Sequence, residues 1–161
     1  MASDETNPAA CNCLALRQAT RHVTQFYDQF LASSGVRATQ YSILARLQRR
    51  GAMTINALAA EMVMDRTTLG RNILPMQRDG LLAVRPGKSD RRSKELQLTA
   101  AGLARWRIAL KGWKEAQASF ESAFGVKRAK ELRHLLQQAA ASEVRHRAKS
   151  LTGNARSRGL P

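Results

Sequence analysis

The stretch "GKSDRRSKELQLT", Gly87 to Thr99, gathers Lys88, Arg91, Arg92 and Lys94 beside a turn. Like charges so placed repel one another and no apolar core accepts them, so the chemistry they suit is that of an external polyanion. A second group stands just upstream in "RTTLGRNILPMQRD". A helix turning about 100° per residue puts Leu69, Ile73 and Met76 on one side of it and Thr67, Arg71 and Arg78 on the other. A polar, cationic face fits the major groove of double-stranded DNA, where an arginine donates two hydrogen bonds to guanine O6 and N7 and a threonine methyl touches a thymine methyl. Arg71 is the leading base reader. Arg66, Thr68 and the backbone amides at the helix start are placed for phosphate oxygens, which fix position rather than sequence. Arg91 or Arg92, reaching sideways into a narrow minor groove, would meet strong negative potential. Asp90 beside them is suited to orienting an arginine by a charge-assisted hydrogen bond. Thr54, Lys88, Ser89 and Lys94 complete the expected DNA-binding set.

These residues need a scaffold that aims them. Thr54 can cap "INALAAEM" and Asp65 can cap the reading helix, which stops at Gly80; two short capped helices in succession suggest helix-turn-helix. Pro75 removes the hydrogen bond to the Arg71 carbonyl and predicts a bend just past the base-reading segment. "LLAVR" and "KELQLT" read as two strands joined at Pro86 and Gly87, a hairpin with its cations at the tip. Upstream, Leu16, Ala19, Val23, Phe26 and Phe30 recur every three or four residues and mark a helix ending near Gly35. Thr39 can cap the next, "QYSILARLQRR", with Ile43, Leu44 and Leu47 inward and Gly51 closing it.

From Thr99 the pattern is again helical, with Leu103, Trp106, Leu110, Trp113, Gln117, Phe120 and Phe124 in alternating steps of three and four. Gly125 breaks that helix, and a sixth carries Leu132, Leu135, Leu136 and Ala139 on one side. Residues 1–9 are expected to form a flexible leader, 10–145 one domain, and 146–161 a disordered basic tail. Within the domain, 39–99 is the DNA-binding lobe, while 10–33 and 100–145 are the dimerisation helices. Trp106, Trp113, Phe120 and Phe124 carry more apolar area than a small core absorbs. A partner subunit is the expected cover, with Leu16, Leu132 and Leu135 joining the interface and part of the stripe packing on its own first and second helices.

Length and composition agree. The chain has 161 residues, 43% of them apolar and 5% aromatic, which favours a mainly α fold of one domain, here a winged helix-turn-helix of six helices and a two-stranded wing. Its formal charge of +15 implies an acidic partner. No window approaches the roughly 18 apolar residues of a membrane span, so a cytoplasmic, nucleoid-associated protein is expected. Catalytic apparatus is not visible: "RPGKS" imitates the end of a phosphate-binding loop, but the first glycine of that motif would fall at Leu82 and a strand follows where a helix is needed. No cofactor is expected, and no metal, since Cys11 and Cys13 have no second pair.

With these residues in view, the chain resembles the MarR family of winged helix-turn-helix regulators. The resemblance rests on "TINALAAEMVMDRTTLGRNILPMQRDGLLAVR" and "SDRRSKELQLTAAG", where Asp90 and Arg92 occupy an Asp-x-Arg wing motif and Leu98, Thr99 and Gly102 a Leu-Thr-x-x-Gly closing. It implies a homodimer whose first, fifth and sixth helices interlock, repressing genes beside a palindromic operator, often under the control of a small ligand such as an aromatic acid. Cys13 resembles the reactive cysteine of the organic-hydroperoxide repressors in that family, with Tyr27 at one tyrosine position and Ala38 at the other. A thiol at a helix N-terminus is disposed to oxidation. The expected sensor or ligand-pocket residues are Cys11, Cys13, Arg17, His22, Tyr27 and Tyr41. The rival from another class is a non-specific architectural DNA-binding protein, which the same charge would serve.

Overall fold

Six helices and a small sheet follow one another in a computed structural model that describes residues 7–87 and 92–142. The expected leader lies mostly outside the described residues; the expected tail and Lys88, Ser89, Asp90 and Arg91 lie wholly outside them.

Helix α1 (Asn12–Leu31) begins at Cys11, whose Sγ accepts the Leu14 N–H at 3.4 Å. A 3-10 turn (Ala32–Ser34) ends it at Gly35, whose φ of 69° is a conformation that glycine adopts without a steric penalty. Helix α2 (Ala38–Arg50) starts one residue before the expected Thr39 cap. Its first amide is served from α1 instead, because the tight corner brings the Asp28 carboxylate within 2.7 Å of the Ala38 N–H. Gln40 also accepts the Arg37 N–H at 3.0 Å.

Strand β1 (Met53–Thr54) is short enough to escape any periodicity argument, yet it makes the sheet three-stranded rather than two. It lies antiparallel to β3 (Lys94–Leu98), pairing Met53 with Leu96 and Thr54 with Glu95. On the other side of β3 lies β2 (Leu82–Pro86), in a register running from Leu82 with Leu98 to Pro86 with Lys94. Between β1 and β2 come α3 (Ile55–Glu61) and α4 (Arg66–Arg78), capped as expected by Thr54 and Asp65. Pro75 lies within α4, which continues as one helix to Arg78.

Leu44, Leu58, Leu69, Met76 and Leu96 are fully buried together, so the helix-turn-helix and the wing share one apolar core. Helix α5 (Ala100–Phe124) and α6 (Val126–Ala141) form the remaining unit. Along α5 the fully buried positions are not the aromatic stripe but Gly102, Ala109, Gly112 and Ala116, beside it. Small side chains win the inner face because α1 crosses so closely: a methyl on Gly112 would sit 2.3 Å from the Phe30 carbonyl oxygen. The aromatic side chains, too large for that seam, lie half-buried along its flank.

Candidate nucleic-acid interface

Helix α4 presents the two faces its sequence promised. Leu69, Ile73 and Met76 are buried, while Thr67, Arg71 and Arg78 are exposed. Its N-terminus is less open to phosphate than expected. The Asp65 carboxylate accepts the Thr68 N–H at 2.8 Å and the Thr68 hydroxyl donates to the other carboxylate oxygen. That hydroxyl bond, with the amide after it, holds the Asp65 carboxyl below the usual carboxylate range. Both donors of Thr68 are therefore engaged with a negative charge, and Arg66, exposed one residue after the cap, is the group at this end that can meet a phosphate.

Thr54 closes β1 and caps α3, its oxygen accepting the Ala57 N–H at 3.1 Å while its backbone pairs with Glu95. On the wing, Arg92 and Lys94 are exposed, and the Gly87 N–H donates to the Ser93 carbonyl at 2.9 Å, closing the ribbon below its tip. Arg85, absent from the expected set, is also exposed on β2, directly across from Glu95 in the register. Its position in a strand rather than a turn hid it.

One residue joins this lobe to α5. The Thr99 hydroxyl donates to the Gly80 carbonyl at 2.6 Å, with a longer contact of 3.2 Å to Leu81, and accepts the Gly102 N–H at 2.9 Å. Gly102 must be a glycine here, since a methyl on it would lie 2.0 Å from the Leu81 carbonyl oxygen. The Leu-Thr-x-x-Gly closing thus has a physical meaning: it is the weld between the wing and α5.

Of the expected sensor residues, Tyr27 and Tyr41 come together. They line a cavity of about 200 Å³ with Val23, Leu31, Ala38, Ser42 and Trp113, between α1, α2 and α5. Cys11, Cys13, Arg17 and His22 are exposed on the N-terminal part of α1 and lie outside its wall. Burial pushes the Tyr41 phenol up to about 12. Burial and, less strongly, the Glu121 carboxylate raise the Tyr27 phenol against the opposing charge of Arg133, so both tyrosines are neutral near pH 7. Tyr27 donates to Gln117 Oε1 at 2.7 Å, Gln117 Nε2 donates to Glu121 at 2.8 Å, and Arg133 of α6 donates to the same carboxylate at 3.0 Å. This polar chain from cavity to α6 was missed in the sequence, although Gln117, a polar residue at a seam position, was its visible trace.

The expected interface residues divide. Trp106 and Trp113 pack against the molecule's own core, Trp113 stacking on Tyr41 at 5.8 Å between centroids. Phe120 lies between Phe26 and Phe124, and Arg128 covers the Phe124 ring at 4.6 Å. Leu132 is half-buried, whereas Leu16 and Leu135 remain 44% and 55% exposed, as are Ile108 and Leu136 to a similar degree. Among the described residues no helix is long and apolar enough to cross a membrane.

Comparison with known proteins adds to this geometry. The model of the MarR family matches residues 36–94. The M. tuberculosis transcriptional regulator MosR is 35% identical, with 83% of this chain and 98% of that chain covered and a TM-score of 0.70. The same regulator in complex with DNA gives 38% identity, coverage of 81% and 97%, and a TM-score of 0.69. Bordetella bronchiseptica BpsR, whose DNA binding is regulated by 6-hydroxynicotinic acid, shares the fold at a TM-score of 0.74, with 21% identity and coverage of 83% and 96%. No curated protein matches the chain.

Proposed function

Because the chain belongs to the MarR family, whose members are transcriptional regulators and not enzymes, we propose that it is a homodimeric repressor which grips a palindromic operator and lets go in response to a small ligand or an oxidant. The observation that carries this reading is the outer face of α4, where Thr67, Arg71 and Arg78 stand exposed opposite buried Leu69, Ile73 and Met76. Such a face, cationic outside and apolar inside, suits a helix that lies in the major groove. That MosR, 38% identical to this chain, is solved in complex with DNA supports a DNA-binding reading. Arg66, Thr54 and the wing residues Lys88, Ser89, Arg91, Arg92 and Lys94 hold the backbone on either side, with Asp90 orienting an arginine.

Exposed Leu16, Ile108, Leu135 and Leu136 lie on the helices expected to interlock, and supply the apolar area for a second copy. Two-fold symmetry then sets half-sites about 34 to 36 Å apart, one turn of DNA. Release belongs to the Tyr27–Tyr41 cavity, whose polar end fits the hydroxyl of an aromatic acid, as BpsR responds to 6-hydroxynicotinic acid. Exposed Cys11 and Cys13 offer a second input, by oxidation. The protein acts in the cytoplasm, on nucleoid DNA.

Selection of bound sequences from a random duplex pool tests the reading directly. A palindromic consensus is expected, weakened by candidate phenolic acids or by an organic peroxide, the latter response vanishing in Cys13→Ser. Equal affinity for every sequence would instead establish the architectural alternative.

A further inference from the structure

Three glycines lie within helices among the described residues: Gly70 in α4, and Gly102 and Gly112 in α5. A glycine inside a helix is a destabilising choice, since the unfolded chain has more freedom to lose and no side chain adds contacts. Two of the three answer a steric demand within the molecule. Methyl groups on Gly102 and Gly112 would collide with carbonyl oxygens at 2.0 and 2.3 Å. Gly70 answers none: beyond the backbone of its own helix a methyl there would meet nothing within 4 Å, and its φ is not positive. The fold would be better served by alanine.

The surroundings of Gly70 point outward. Thr67, Gly70 and Leu74 are spaced i, i+3 and i+7, so they share one stripe, and Arg71 and Arg78 border it. Leu74 is 60% exposed, an apolar side chain on the one helix face otherwise given to polar and cationic groups. With no side chain at Gly70, the stripe carries bare helix backbone between Thr67 and Leu74, next in angle to Arg71. In the major groove the one apolar feature of a base edge is the thymine 5-methyl.

We propose that Gly70 is a specificity-determining position: its missing side chain lets α4 seat deeply in the groove, with a thymine methyl held between Thr67 and Leu74, next to the base read by Arg71. This rests on the DNA-binding function proposed above and adds to it a reader that makes no hydrogen bond.

The experiment uses the full chain and the operator selected from the random pool. Gly70→Ala and Gly70→Ser are compared with the parent for thermal stability and for affinity, on the operator and on versions in which each thymine in turn is replaced by deoxyuridine, which deletes only the methyl. Gly70→Ala is expected to melt at a higher temperature and yet bind about tenfold more weakly, a loss typical of one base contact. One deoxyuridine position should weaken the parent several-fold while leaving Gly70→Ala unchanged, and Gly70→Ser should behave as the alanine variant does in binding. Undiminished binding by both variants, or a fall in melting temperature that accounts for the lost affinity, would overturn the proposal. A parent protein that selects no sequence at all would overturn the underlying function instead.

Discussion

Thr99 uses one hydroxyl for two structural tasks, donating to the carbonyls of the segment between α4 and β2 and capping the helix that leads away. Valine has nearly the same shape and neither ability, so Thr99→Val should cost about 1 to 3 kcal/mol, read by chemical denaturation, while Thr99→Ser should recover most of it. Arg71 is the opposite kind of residue, exposed and without a structural duty in the core. Arg71→Ala is expected to leave the melting temperature in place and to weaken the selected operator by about 1 to 3 kcal/mol while barely changing affinity for random DNA. Binding titrations on both duplexes separate these outcomes. The two faces of α4 were legible in the sequence because they follow from a fixed angle per residue. The engagement of Thr68 by Asp65 was not, since the same side chains can serve a phosphate or each other and only the geometry of the cap decides.

At the scale of elements, periodicity reported the long helices well and their ends less well. The start of α2 is the instructive case. Thr39 has the right chemistry for a cap, yet a carboxylate ten residues upstream does the work, and nothing local announces a partner brought in by a corner. Asp28→Ala should therefore destabilise the protein by about 1 kcal/mol, with Asp28→Asn close to the parent, as melting curves would register. Strand β1 was hidden for a related reason: its two residues are a strand only because β3 lies beside them. On α5 the aromatic stripe attracted the eye, but the deepest seam belongs to glycine and alanine. Hydropathy ranks side chains by size and greasiness, while a tight helix crossing rewards the absence of both.

For the whole molecule, the charge of +15 and the fold class were available from composition and pattern alone. The proposed homodimer would use what the described residues leave uncovered. Among them, Leu135 and Leu136 on α6 remain 55% and 41% exposed. Leu135→Glu should convert the protein to monomers in sedimentation velocity and, by removing the second half-site contact, reduce operator affinity far more than any single phosphate contact would. Monomers with undiminished operator affinity would contradict the two-fold arrangement.

The weld at Thr99 and Gly102 has one more consequence. Helix α5 is 25 residues long, so it extends about 37 Å at the usual rise. Fastened at its first turn to the lobe that carries α4, it works as a rigid lever: a tilt of a few degrees where α1 crosses it swings the far end by a couple of ångströms. In the homodimer proposed above, whatever wedges that crossing apart would alter the spacing of the two reading helices without ever approaching the DNA.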